Sequence, residues 1–167
     1  NPAIKGLVYR GSELGLDAIG LFDGWRSLLN PLPEVLPLDR HTVRRWDHDG
    51  GTNLGSSRTN PFKQVTEDGE TCDRSHEVEE NIERLKLDAL VVCGGEDTLG
   101  VAATLAQRGV SIVGVPKTID NDLACTELTF GFVTALDIAT EALDRLHTTA
   151  ESHDRVMILE VMGRHAG

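Results

Sequence analysis

The chain has 167 residues, with 16 Lys and Arg against 27 Asp and Glu, for a formal net charge of −11. Hydrophobic residues make up 40% and charged residues 26%, the composition of a globular domain long enough to bury its own core. The acidic balance argues against sequence-independent nucleic-acid binding, which needs a basic surface, and no apolar run reaches the roughly 20 residues of a membrane span.

Cys72, Cys93 and Cys125 form no Cys-x-x-Cys pair and read as free thiols of a reducing, cytoplasmic compartment. No basic-then-apolar leader opens the chain. It begins at Asn1 without Met and closes inside a Met-Gly-Arg-His-Ala-Gly stretch. It therefore reads as an internal piece of a longer protein.

In chain order, residues 3–10 are expected to form a short helix and residues 17–22 a strand, with Gly24 and Trp25 opening the next turn. Residues 50–61 carry glycines, Ser, Asn and a terminal Pro, which favour a loop. Residues 73–86 are polar and Glu-rich and predict a surface helix. The apolar run 88–93 predicts a buried strand that ends at Gly94-Gly95. Leu99, Ala102, Ala103 and Leu105 set a helix over 98–108, with Gly109 as its stop.

Residues 111–115 predict the next strand, closed by Pro116. Leu136, Ala139, Leu143 and Leu146 share one face of a helix over 132–151, and residues 155–161 predict a third strand. Trp25, Trp46 and Cys93 read as packing residues, and His147 and His153 as surface or packing residues. The alternation of strand and helix predicts an α/β fold of parallel strands. Ligands then sit beyond the carboxyl ends of the strands, where the unusual motifs of this chain lie.

Four segments carry chemistry. Gly94-Gly-Glu-Asp-Thr-Leu-Gly100 joins a strand to a helix. Its glycines permit close backbone approach, and the helix start suits a phosphate. Glu96 and Asp97 would repel an anion, so a divalent cation such as Mg²⁺ is the natural mediator. Acids at a helix start also simply complement its dipole. The segment fits neither G-x-G-x-x-G nor the P-loop.

The second segment is Pro116-Lys-Thr-Ile-Asp-Asn-Asp122. Asp120 and Asp122 can divide labour, one taking a proton from a hydroxyl and the other supporting a metal. Asp-Asn-Asp is also ordinary turn chemistry. The third is Gly55-Ser-Ser-Arg58, whose guanidinium can clamp phosphate oxygens or be a plain surface cation. The fourth is Met162-Gly163-Arg164 beyond the last expected strand, with Arg155 at the opposite end of that strand.

Taken together, Gly94-Gly-Glu-Asp-Thr, Pro116-Lys-Thr-Ile-Asp-Asn-Asp, Gly131-Phe-Val-Thr-Ala135 and Met162-Gly-Arg164 resemble the 6-phosphofructokinase family, in that order and spacing and over nearly the whole chain. The resemblance implies a three-layer, mostly parallel sheet with flanking helices. It makes residues 1–167 a partial catalytic domain, without the family's first phosphate loop and second half. Such a piece is expected to be inactive alone and of low stability.

The implied reaction is phosphoryl transfer to the 1-hydroxyl of fructose 6-phosphate with Mg²⁺. By the resemblance, Asp120 is the proton acceptor, and Thr118, Ile119, Met162, Gly163 and Arg164 contact the sugar phosphate. Glu96 takes the metal position, with Asp122 supporting the metal or the loop, and Arg58 contacts the transferring phosphate. Arg155 reaches the 6-phosphate in a neighbouring subunit, which implies a homo-oligomer.

Two positions bear on the phosphoryl donor. Members that use ATP resemble Gly-Gly-Asp-Gly-Ser and often carry Gly where this chain has Lys117. Here the residue after the metal acid is Asp97, and Lys117 is a cation. These departures resemble the branch that uses inorganic pyrophosphate, whose reaction is reversible. A carboxylate at Asp97 would oppose the α-phosphate of ATP. Like charges about 4 Å apart cost on the order of 4 kcal/mol at an effective dielectric of ~20, roughly a thousandfold in binding. Lys117 would stabilise charge on the leaving group. The alternatives are the ATP-dependent enzyme and, below it, a non-catalytic subunit that binds a sugar phosphate. Val133 stands where the family usually has Asp, which would weaken a local polar network.

Overall fold

The computed structural model describes residues 1–163. They divide into two compact units, Asn1–Asp88 and a second that starts at Ala89.

The first unit opens with helix α1 (Pro2–Glu13), whose Pro2 lies at the first helical position, where its missing N–H is not needed. Strand β1 (Ala18–Leu21), helix α2 (Trp25–Leu28) and strand β2 (Val35–Leu38) follow. A 3₁₀ turn (Trp46–His48), a short hairpin of β3 (Gln64–Val65) and β4 (Thr71–Cys72), and helix α3 (Ser75–Arg84) complete it. Val8, Trp25, Leu28, Val43 and Val78 are buried and form its core. Trp25 packs as expected, while Trp46 is only half-buried.

Polar ties fix the long connections. Asn81, itself buried, donates through Nδ2 to the carbonyls of Leu28 at 2.8 Å and Asn30 at 3.0 Å. That satisfies the end of α2 and pins it to α3. Lys5 Nζ donates to Asp47 Oδ1 at 2.7 Å and to the Arg44 carbonyl at 2.8 Å. Arg40 stacks 5.0 Å from the Tyr9 ring centroid and donates to Glu13 Oε1 at 3.0 Å, so the turn after β2 is held to α1 by charge and by ring contact. The pairing in this unit departs from expectation. The β1–β2 and β3–β4 pairs are both antiparallel: β3 and β4 form a hairpin, and the single turn of α2 between β1 and β2 does not carry the chain back for a parallel return.

The second unit has the expected α/β pattern. Strand β5 (Leu90–Gly94), helix α4 (Glu96–Gln107), strand β6 (Ile112–Thr118), strand β7 (Phe130–Gly131) and helix α5 (Phe132–His153) follow in order. The sheet runs β5-β6-β7 with parallel pairing throughout. Leu90, Val101, Ala102 and Leu105 are buried between α4 and the sheet. Cys93 is half-buried on β5, and burial pushes its thiol up, as suits a packing residue and not a nucleophile.

Three expectations are corrected in this unit. Pro116 does not close β6, which continues to Thr118. Pro116 sits opposite Gly94, and Lys117 and Thr118 then pair with Phe130 and Gly131, so partners further along the chain extend the strand. Helix α4 starts at Glu96, two residues before the expected start.

The third correction concerns residues 155–161, which form no strand. Their alternation is real, but Val156 and Ile158 stand about 90% exposed, so the segment buries no apolar face and pairs with no strand among the described residues. The apolar stripe of α5 is similarly uncovered: the helix forms, yet Leu136 and Leu143 are more than half exposed. Among the described residues no helix is long and apolar enough to cross a membrane.

Candidate active site

Because β5 and β6 are parallel with Gly94 opposite Pro116, the segments that leave them emerge at the same edge of the sheet. From β5 the chain turns at once into α4. A Cβ added to Gly94 would lie 2.5 Å from the Thr98 Cβ, so only glycine lets the first turn of α4 fold this tightly onto the strand end. Gly94→Ala is expected to cost about 1–3 kcal/mol, seen as a lowered denaturation midpoint. An unchanged midpoint would contradict this close approach.

Gly95 is the N-cap, with φ −87° and ψ −165°. Glu96 and Asp97 are therefore in the first helical turn, at the positive end of the α4 dipole. From β6 the chain passes into the Thr118–Asp122 turn. The Thr118 hydroxyl accepts the Asp120 backbone N–H at 3.1 Å and donates to Asp120 Oδ2 at 3.3 Å, which orients the Asp120 carboxylate relative to its own backbone.

These two segments face each other across an open cleft of about 210 Å³. Glu96, Asp97, Asp120 and Asp122 all line it, with Gly95, Thr98 and Thr118 completing the wall. Four carboxylates and no lining cation make the cleft strongly electronegative. It can take a proton from a hydroxyl at Asp120, but it can take a phosphate-bearing ligand only together with a cation.

Among the described residues no group of three or more His, Cys, Asp or Glu side chains is arranged to hold a metal by itself. Mg²⁺ keeps waters and phosphate oxygens and takes only one or two carboxylates. A hard-oxygen donor set that is incomplete without the ligand fits that ion.

The structure thus brings together Glu96, Asp97, Thr118, Asp120 and Asp122. Lys117 lies on β6 with an exposed side chain and does not line the cleft, and Ile119 is half-buried in the turn. Arg155 follows α5, where its backbone N–H donates to the Ala150 carbonyl at 3.0 Å. Its side chain is exposed, as are Met162 and Gly163. Arg164 lies outside the described residues. Arg58 is exposed on the 50–61 loop of the first unit, so its contact with a phosphate remains an expectation.

Sequence reasoning missed Thr98 as a wall residue. Its place in Gly94-Gly-Glu-Asp-Thr was the available signal, but the acids drew the chemical reading.

Comparison with known proteins bears on the family and the fold. A family model described as phosphofructokinase matches residues 1–167. The pyrophosphate–fructose 6-phosphate 1-phosphotransferase of Streptomyces coelicolor is 55% identical, over 100% of this chain and 47% of its own length. ATP-dependent 6-phosphofructokinase 3 of the same organism is 51% identical with the same coverage. The solved phosphofructokinase of Saccharomyces cerevisiae superposes with a TM-score of 0.79 at 30% identity, over 99% of this chain and 24% of that one. The chain spans about half the length of the curated relatives it matches. With the family model spanning the chain and the fold shared, this chain belongs to the phosphofructokinase family.

Proposed function

We propose that this chain is part of a reversible phosphotransferase that moves a phosphoryl group from inorganic pyrophosphate to the 1-hydroxyl of fructose 6-phosphate, giving fructose 1,6-bisphosphate and phosphate, in glycolysis. One observation carries the reading: Asp97 stands beside Glu96 in the first turn of α4 and lines the same cleft as Asp120.

Asp120 accepts the proton of the attacking hydroxyl. Its carboxylate is held by the Thr118 hydroxyl, and such a group typically contributes 10²–10⁴-fold. Glu96, with Asp122 in support, would hold Mg²⁺, whose part is to neutralise phosphate charge. The rest of the catalysis is positioning and electrostatic stabilisation. Asp97 opposes a donor with a third phosphate and a nucleoside behind it, and the smaller anhydride avoids that contact. Thr118, Ile119, Met162, Gly163 and Arg164 contact the sugar phosphate, and Lys117, exposed on β6 outside the cleft wall, would have to swing toward the leaving group to steady its charge.

Arg155, exposed after α5, serves the 6-phosphate of a neighbouring copy, so the enzyme is a homo-oligomer. It acts in the cytoplasm. A second reading keeps the same acceptor and takes ATP as donor. The 51% identity to a relative named as ATP-dependent supports it. Turnover of fructose 6-phosphate by the full-length protein with each donor separates the two readings.

A further inference from the structure

Residues 118–131 contain a polar group that the reaction does not use. Thr129 is only 4% exposed, while its neighbours Leu128 and Phe130 are more than half exposed. A buried hydroxyl is costly unless it is hydrogen-bonded. This one donates to the Thr118 carbonyl at 2.7 Å. The Thr129 backbone N–H donates to Asn121 Oδ1 at 2.9 Å, and Asn121 Nδ2 donates to the Glu127 carbonyl at 3.2 Å.

Asn121 holds a left-handed backbone at φ +50°, a conformation that asparagine tolerates better than most residues. Asp120 is therefore bracketed. The residue two before it is tied to Thr129 through its carbonyl, and the residue after it is tied to Thr129 and Glu127 through its side chain. The same Thr118 presents its hydroxyl to the Asp120 carboxylate and to the Asp120 backbone N–H.

We infer that Thr129 and Asn121 are positioning residues: a clamp between the segment before β7 and the 118–122 turn that holds the Asp120 carboxylate where it accepts the substrate proton. The inference rests on the proposed role of Asp120. Neither Thr129 nor Asn121 lines the cleft. Loss of the clamp should therefore disturb proton acceptance more than ligand binding.

The test compares full-length variants by steady-state kinetics and thermal melting. Thr129→Val replaces the hydroxyl with a methyl group of similar size. It is expected to lower kcat by about 30- to 100-fold, because displacement of a catalytic group by about 1 Å costs on the order of 10²-fold. KM for fructose 6-phosphate should stay within about threefold on the same reasoning. Thr129→Ser keeps the donor and is expected to return kcat to within about threefold of the parent, a rescue that loss of packing alone would not give.

Asn121→Gly keeps the left-handed backbone available while deleting both side-chain bonds. It is expected to lower kcat about tenfold or more, and it decides the matter if Thr129→Val does not fold. A parental kcat in whichever of the two folds, or a rise in KM with kcat unchanged, overturns the clamp. Asp120→Asn, measured alongside, keeps the two claims apart. If Asp120→Asn is inactive while the clamp variants run at the parental rate, only the clamp fails. If Asp120→Asn retains full activity, the role of Asp120 itself fails.

Discussion

Asp120→Asn in the full-length protein is expected to lower kcat by about a thousandfold, within the 10²–10⁴ range of a lost general base, with KM for fructose 6-phosphate nearly unchanged. The substitution is close to isosteric and leaves an oxygen for the Thr118 hydroxyl, which now lies 3.3 Å from Asp120 Oδ2. What it removes is the lone pair that can take the proton of the attacking hydroxyl, since an amide has no comparable basicity. An interaction needed only as the transition state forms shows in kcat and in kcat/KM equally. The reverse reaction should fall by the same factor, because the group that takes the proton forward must return it backward. A kcat within tenfold of the parent would remove Asp120 from the proton path.

Asp97→Gly is expected to raise kcat/KM for ATP by about 10- to 100-fold and to leave the pyrophosphate reaction within a few fold. The unscreened contact estimate is larger. Asp97 is exposed to solvent, however, and screening reduces what an exposed charge can impose. Glycine in the first turn of α4 costs at most about 1 kcal/mol of helix stability, so a melting curve measured beside the kinetics separates a changed donor site from a weakened helix. If ATP use does not move, Asp97 is only an acid that complements the α4 dipole, the alternative that its residue type left open.

Local rules made the second unit legible. The apolar run into Gly94-Gly95, the periodicity of Leu99, Ala102 and Leu105, and the stop at Gly109 each depend on neighbours a few residues away. The glycine pair and the acids after it also placed half of the cleft. What failed depended on distant partners. Pro116 is a strand breaker by itself, yet Phe130 and Gly131 pair with the two residues beyond it.

The first unit was harder to read for a similar reason. Val35–Leu38 carries a proline and offers no strand signal of its own, yet it pairs with β1 in a two-stranded sheet, where a missing N–H is tolerated. Residues 155–161 show the reverse failure: a clear alternation that pairs with no strand among the described residues. In the site, Asp120 and Asp122 stood out as acids, whereas Thr129 did not. A threonine between Leu128 and Phe130 carries no signal until its burial and its bond to Thr118 are seen.

Donor choice is the point on which the functional account turns. With fructose 6-phosphate and Mg²⁺ at saturation, the full-length protein should release fructose 1,6-bisphosphate rapidly when pyrophosphate is supplied and at least about a hundredfold more slowly, in kcat/KM, when ATP replaces it. Equal or faster turnover with ATP, and none with pyrophosphate, would contradict it.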